Sequence, residues 1–371
     1  MFKIGFDAKR YFTNATGLGN YSRDLIRILS TGLDNVDLRL YTPKVLEKYS
    51  SSSERLTPIL PRSIEGKLFP QLWRSTGILS DLKRDQIDIF HGLSGELPIG
   101  ISGTTVKSVV TMHDLIFLRY PEWYGYWDRK IYNKKFKQAC HEADSIVAIS
   151  EQTKKDLQTF FAVPEKRIQV IYQGCHPEFK IAKTADERIQ LLKKLGIPSS
   201  FLLNVGTIEP RKNILSVIQA LEEIDYPLVI VGKKTDYQTD LQKFIAQKKM
   251  HHRIFFVEGL SMRELSILYG AATAFVYPSK FEGFGIPIIE ALYSGTPVIS
   301  NKEGVFPEAG GPSSAYVDIN CLDEIKHAIM RILESESLRA AMTKDGIAYA
   351  QRFNDDKLLT QWRMLYLSLL D

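Results

Sequence analysis

Cysteine is scarce in this chain. Its 371 residues hold three, Cys140, Cys175 and Cys321, odd in number and far apart. That spacing excludes a disulfide framework and a cysteine-based metal site, and it suits a reducing cytosol. Long apolar runs are missing too, since none approaches the ~20 residues that span a bilayer. The opening "MFKIGFDAKR" reads as a first strand and lacks the apolar core of a signal peptide. A cytoplasmic chain is the expectation, with any membrane contact peripheral, on the inner face. A dominant charge sign is also absent: 48 Lys and Arg against 43 Asp and Glu leave +5. So mild and mixed a surplus argues against nucleic acid as a partner, while leaving anionic small molecules or an anionic membrane surface open.

What is present is a hydrophobic share of 44%, ample for sizeable cores, in a chain longer than one typical domain. Short β-rich runs alternate with amphipathic stretches. "FKIGFD", "DLRLYT", "IDIFHG", "VKSVVTMH", "SIVAIS" and "RIQVIY" form one series; "FLLNVG", "PLVIVG", "RIFFVEG", "AFVYPS", "PVIS" and "SAYVD" form a second. Strands apolar on both faces, separated by helical patterns such as "NILSVIQALEEI", predict doubly wound parallel sheets in an α/β protein. The polar segment 173–187, "QGCHPEFKIAKTADE", breaks the alternation and is the expected linker. Two Rossmann-like domains follow, 1–175 and 176–354. A last helix, 355–371, carries an apolar stripe of Trp362, Leu365, Tyr366 and Leu369 that must dock on something, the first domain being one candidate.

In such sheets ligands bind beyond the carboxyl ends of the strands, so the loops after strands hold the candidate chemistry. Gly17 and Gly19 in "NATGLGNYSRDL" open a helix after the first strand, where backbone amides can approach an anion. A plain strand-to-helix turn is the competing reading. His113 and Asp114 end a strong strand in "TMHDLIF". The histidine suits hydrogen bonding to a substrate hydroxyl or carrying a proton. A structural histidine, with Asp114 capping the next turn, is equally open.

Arg211 and Lys212 in "GTIEPRKNIL" sit just before Asn213, the expected N-cap of a helix. Two cations at a helix start oppose the macrodipole, and a bound polyanion would remove that conflict. Finally, "SKFEGFGIPIIEALYSGTPVIS" brackets a glycine turn with Glu282 and Glu290. Pro287 is placed at the first helical position, with Gly295 just past the helix end. Carboxylates there suit the paired hydroxyls of a ribose or a sugar.

Taken together, the blocks "EGFGIPIIE", "GTIEPRKN", "MHDLIFLRYPEWY", "AISEQTKKDL" and "GLGNY" resemble the retaining nucleotide-sugar glycosyltransferases of family 4. The style is closest to the bacterial mannosyltransferases of lipopolysaccharide and capsule assembly. The resemblance implies the GT-B fold, two Rossmann-like domains facing a cleft, with the nucleotide on the C-terminal domain and the acceptor on the N-terminal one. It also implies that Arg211 and Lys212 hold the diphosphate and that Glu290 binds the ribose. Glu282, with Gly283 and the amides of Phe284 and Gly285, would contact the donor sugar. His113 would lie beside the reacting centre, and Gly17 and Gly19 near the phosphates.

The implied substrate is a nucleoside-diphosphate sugar, GDP-mannose favoured, with no cofactor, and the implied acceptor is a glycan or a lipid-linked glycan. At "YQGCHPEF" the chain departs from the family pattern, which puts linker contacts of Gln173 and His176 to the nucleotide or sugar in doubt.

No Asp-x-Asp occurs, the motif that holds a divalent metal in many glycosyltransferases. Metal-independent transfer is therefore expected, with Arg211, Lys212 and helix-start amides meeting the leaving-group charge. A nicotinamide-dependent dehydrogenase would need Gly-x-Gly-x-x-Gly, and "TGLGNYSRD" lacks the third glycine. A nucleotide-sugar 2-epimerase of the same fold and a non-catalytic sugar-nucleotide-binding subunit compete with the transferase reading. The stretch 120–137, "YPEWYGYWDRKIYNKKFK", mixes aromatic and basic residues. It reads either as a membrane-facing surface or as one buried aromatic face and one solvated basic face, the second being the expectation.

Overall fold

The computed structural model describes residues 2–46, Tyr49 and 56–371. The chain divides into two compact units, Met1–Gly174 together with Asn354–Asp371, and Cys175–Phe353. Among the described residues the first holds seven strands: β1 (Phe2–Asp7), β2 (Val36–Tyr41), β3 (Pro58–Ile59), β4 (Ile89–Gly92), β5 (Lys107–Met112), β6 (Ser145–Ala148) and β7 (Ile168–Val170). Their order in the sheet is β3-β2-β1-β4-β5-β6-β7. The second unit holds β8 (Leu202–Val205), β9 (Leu228–Val231), β10 (Ile254–Val257), β11 (Ala274–Tyr277), β12 (Val298–Asn301) and β13 (Ala315–Val317), in the order β10-β9-β8-β11-β12-β13. Every pairing is parallel. Both units are Rossmann-like.

The strand sequences explain this. All four residues of β6, β8, β9, β11 and β12 are buried, so each reads as a continuous apolar run and not as an alternation. Only β3 escapes the sequence pattern. Two residues carry no period, and Pro58 is tolerated because β3 pairs with β2 alone, at the sheet edge.

The last helix, Asp355–Ser368, belongs to the first unit. Trp362, Leu365 and Tyr366 are buried in the core around Ile4, Phe6 and Leu25, with Leu369 packed at its margin. Each such side chain contributes roughly 1.5–3 kcal/mol of burial. Tyr366 OH lies 2.8 Å from His91 Nδ1 on β4, and Arg27 Nη1 meets Asp355 at 2.9 Å.

Two expectations need correction. Segment 173–187 holds the boundary between the units, Gly174 to Cys175, but it is not polar surface throughout. Cys175 and Phe179 are buried, and the Phe179 ring packs edge-on to Tyr269 with centroids 5.6 Å apart. Two apolar residues in a polar run were enough to anchor it in the second unit.

The helix Tyr126–Glu142 buries only Ala139 and Cys140. Tyr132 and Phe136 lean on Phe117, at 5.7 and 5.3 Å between centroids. Trp127, however, is 76% exposed, and Tyr126 and Ile131 are more than half exposed. The aromatics are too many for one side of a helix, so those that miss Phe117 face solvent beside the lysines. Among the described residues no helix is long and apolar enough to cross a membrane.

Candidate active site

In the second unit β8 and β11 are neighbours, and the loops that follow them are stitched together. Arg211 Nη1 donates to the Phe281 carbonyl at 2.6 Å, and the Lys280 amide donates to the Arg211 carbonyl at 2.9 Å. Between these loops Glu282 Oε1 takes four donors: Lys212 Nζ at 2.6 Å, Ser279 Oγ at 2.6 Å, Tyr277 OH at 2.9 Å and Arg211 Nη1 at 3.0 Å. Lys212 Nζ also reaches Tyr277 OH at 2.8 Å, and Arg211 Nη2 pairs with Glu209 at 2.6 Å.

Burial works against the Glu282 charge, but Lys212 and Arg211 override it and hold the carboxyl at about 2. Burial lowers Lys212 although Glu282 opposes it, while Glu282 and Glu209 keep Arg211 above its ordinary range. The cations at a helix start are therefore matched within the chain by two carboxylates. The guanidinium of Arg211 and the amine of Lys212 are thereby held in fixed positions, Lys212 being buried.

Asn213 precedes the helix Ile214–Ala220 as expected but does not cap it with its side chain. It takes a left-handed conformation, and its Nδ2 donates to the Ile319 carbonyl at 3.1 Å. The physical reason is the turn Pro210–Lys212, which aims Arg211 and Lys212 at Glu282 and needs a positive φ to enter the helix.

Gly285, with φ of +105°, starts the helix Ile286–Tyr293, in which Pro287 is the second residue; only glycine adopts that angle readily. Phe284 is buried edge-on against Phe353, 5.5 Å between centroids, so its side chain serves the core. One turn into the helix, Glu290 Oε2 accepts from Tyr269 OH at 3.1 Å. Burial without a cation raises Glu290 to about 7. The two glutamates thus sit in opposite electrostatic settings, one fixed as an anion and one poised near neutrality.

The remaining predicted residues lie in the first unit. His113 Nε2–H donates to the Leu93 carbonyl at 2.9 Å, and its Nδ1 faces Gln173 Nε2 at 3.2 Å. Burial lowers His113 to about 4, so the ring is neutral with both nitrogens engaged. The Tyr21 ring meets it edge-on at 4.6 Å. Asp114 Oδ1 accepts from the Ile116 amide at 3.1 Å across Leu115, which holds the N-cap position of the helix Ile116–Arg119 without a side-chain cap, so Asp114 braces the turn but is not its cap. Gly17 and Gly19 open the helix Gly17–Gly32. A Cβ on Gly19 would come within 1.9 Å of the Asn14 carbonyl oxygen, which accounts for that glycine by packing, whereas Gly17 faces open space.

Two family descriptions match the chain: Glycosyltransferase Family 4 over residues 15–179 and Glycosyl transferases group 1 over residues 187–349. The O-antigen chain mannosyltransferase RfbU of Salmonella typhimurium is 31% identical over 254 residues, 68% of this chain and 67% of that protein. This chain is a family 4 glycosyltransferase. The O-antigen chain mannosyltransferase B of Escherichia coli is 28% identical over 367 residues, 93% of this chain and 94% of its own length.

Among solved structures, sucrose-phosphate synthase from Thermosynechococcus elongatus superposes with a TM-score of 0.82 at 20% identity, covering 100% of this chain and 99% of that one. Anabaena Alr3699/HepE in complex with UDP-glucose gives 0.78 at 18%, covering 99% and 100%. These likenesses show the fold, which is GT-B.

Within the glycosyltransferase, Arg211, Lys212 and Glu282 meet in one cluster. Glu290 stands apart from it, joined to Tyr269. His113, Gly17 and Gly19 are gathered around Tyr21 and the first-unit loops. The sequence reading missed Tyr277, Ser279, Tyr269 and Glu209, and it gave Gln173 no partner. Tyr269 and Tyr277 lie in apolar runs, and their hydroxyls gain meaning only beside a buried carboxylate. Burial and the adjacent glutamates keep both phenols protonated as donors.

Proposed function

We propose that this glycosyltransferase moves a hexose, mannose favoured, from a nucleoside-diphosphate sugar to a glycan or lipid-linked acceptor in cell-surface polysaccharide assembly. GDP-mannose is the favoured donor. The observation that carries the reading is the cluster of Arg211 and Lys212 on Glu282 at the junction of β8 and β11, where open α/β sheets bind ligands. The names of the two mannosyltransferase relatives support the sugar and the pathway class.

In this reading Arg211 and Lys212 meet the diphosphate, and Glu282 keeps them in position before the donor arrives. Glu290 accepts from the ribose hydroxyls. The transfer retains the anomeric configuration. The acceptor oxygen bonds the anomeric carbon on the face from which the diphosphate departs, and the hydroxyl proton passes to the leaving diphosphate. Four donors on Glu282 Oε1 make that carboxylate a poor nucleophile, which favours same-face attack over double displacement. Charge growing on the leaving oxygen is stabilised by the fixed cations without a metal. His113 serves as a neutral hydrogen-bonding ring. The protein works in the cytoplasm, in peripheral contact with the inner membrane face through the exposed aromatics and lysines of the helix Tyr126–Glu142.

The test is a screen of nucleotide sugars for thermal stabilisation, followed by hydrolysis of the best binder in chelator. GDP-mannose should raise Tm most. Stabilisation by no nucleotide sugar would overturn the reading. Loss of hydrolysis in chelator with rescue by Mg²⁺ or Mn²⁺ would overturn its metal independence.

A further inference from the structure

His113 leaves the end of β5, Leu93 leaves the end of the neighbouring β4, and Gln173 lies just past β7. All three belong to the first unit. Gln173 is 4% exposed, whereas His113 keeps part of its surface open. The His113 carbonyl accepts from Thr153 Oγ1 at 3.0 Å, so the ring starts from a fixed backbone.

The ring itself is set by its neighbours. His113 Nε2 lies 2.9 Å from the Leu93 carbonyl. A carbonyl only accepts, so this nitrogen carries the proton of the neutral ring and Nδ1 is left as an acceptor. Gln173 Nε2, at 3.2 Å, is the amide nitrogen that donates to it. Tyr21 meets the ring edge-on, 4.6 Å between centroids at 87°, and its hydroxyl is tied to Thr111 Oγ1 at 3.0 Å. Plane and tautomer are therefore fixed by different residues. Gln173 stands in "YQGCHPEF", where the chain departs from the family pattern, so the resemblance does not carry this arrangement.

We propose that Gln173 is a positioning residue for glycosyl transfer: its amide holds His113 as the Nε2–H tautomer, and that N–H is the one proton the ring lends to a sugar hydroxyl. The inference rests on the reading above, in which His113 serves the transfer as a neutral hydrogen-bonding ring. A proton on Nδ1 instead would set the Nε2 lone pair against the Leu93 carbonyl, two acceptors face to face. Gln173 removes that alternative before substrate arrives, and a donor already in place costs no reorganisation during the reaction. The sugar hydroxyl shares Nε2–H with Leu93 or displaces it. An amide does not titrate, so Nδ1 has no proton to exchange with Gln173. The ring orients substrate and does not relay protons.

The test is long-range ¹H–¹⁵N NMR of the full-length protein labelled at histidine. Of the seven histidines, His113 is identified as the signal lost in His113→Phe. It should show a neutral ring protonated at Nε2; protonation at Nδ1 would overturn the inference. Gln173→Glu keeps the side-chain size but sets an acceptor against Nδ1. Both nitrogens should then carry protons, and the signal should move to that of imidazolium at neutral pH. An unmoved signal would overturn the contact. Gln173→Met keeps the packing without the donor. Its kcat for nucleotide-sugar hydrolysis should fall about tenfold while donor affinity stays within about twofold, a split that a merely structural role would not produce. Full activity in Gln173→Met beside a damaged His113→Phe overturns this inference alone, as do equal losses of kcat and affinity in Gln173→Met. Full activity in His113→Phe removes the reading of His113 and the inference with it.

Discussion

The charged clusters beyond β1 and β4 and beyond β8 and β11 occupy equivalent places on two sheets of the same order, yet they differ in charge after the first central strand. In the second unit the cations Arg211 and Lys212 follow the first central strand, and the acid Glu282 follows the fourth. In the first, Asp7 ends the first strand, Glu96 follows the fourth, and the cation Arg74 is brought in from a helical turn. Hydroxyls of Tyr277 and Ser279 brace the carboxylate in the second unit, whereas apolar side chains wall the first. The same fold position can thus hold an acid braced by cations or a cation braced by acids. The difference lies in whether the cation follows a central strand, as Arg211 and Lys212 do, or comes from a helical turn, as Arg74 does.

The sharpest way to break this comparison is Lys212→Ala. If the second cluster meets charge that grows in the transition state, kcat for donor hydrolysis should fall ~10²–10³-fold with a smaller loss of donor affinity. Calorimetry beside steady-state rates separates the two. Equal losses in both would mean that Lys212 merely holds the ground state.

The helix bordering the first cluster supplies the next effect. Neutralising Lys130, Lys134 and Lys137, at about 1 kcal/mol each near an anionic surface, should weaken binding to phosphatidylglycerol-containing vesicles on the order of 10²-fold. Lys135 is left in place because it pairs with Glu96. Failure of the unmodified protein to co-sediment at low salt would remove the membrane from the account.

Glu290 gives a smaller, pH-dependent signal. Its folded value of about 7 lies above the ordinary 4.5, so the fold retains a proton that the unfolded chain releases. The associated stability is fully present below pH 4.5 and lost as pH rises through about 7. A ribose needs the ionised acceptor, so nucleoside-diphosphate affinity should increase as pH rises through about 7. Glu290→Gln should flatten that rise and cost about tenfold in affinity at alkaline pH. Identical pH profiles for the two proteins would remove Glu290 from the ribose.

The smallest effect concerns Glu282. Held at about 2 against 4.5, it contributes stability that is present above pH 4.5 and lost as pH falls towards 2. Glu282→Gln should flatten the acid limb of Tm against pH by a few degrees. An unaltered limb would show that the ion pairs do not stabilise the fold.

Much of the fold was legible in the chain. Every strand longer than two residues coincides with a β-rich run, because burial on both faces leaves a continuous apolar signature that neighbours in sequence suffice to reveal. The apolar stripe of the last helix was visible for the same reason. Helical spacing put Trp362, Leu365 and Tyr366 on one side before any partner was known. The loops after strands also declared themselves as the seat of charged residues.

What the sequence by itself determined is therefore local: the periodic burial of strands and helices, the glycine that begins the helix at Ile286, and the placement of acids and bases just past strand ends. Only the tertiary structure decided which of those charges meet. Lys212 and Glu282 are 70 positions apart, Arg74 and Asp7 67, and Gln173 and His113 60. Whether Glu282 faces a cation, with its carboxyl near 2, or a neutral phenol as Glu290 faces Tyr269, near 7, depends on β8 lying beside β11. It also left Trp127 in solvent, since Phe117 offers packing to only one side of its helix. Short-range periodicity is written residue by residue, but a Coulomb energy depends on distance through space, and strand order sets that distance.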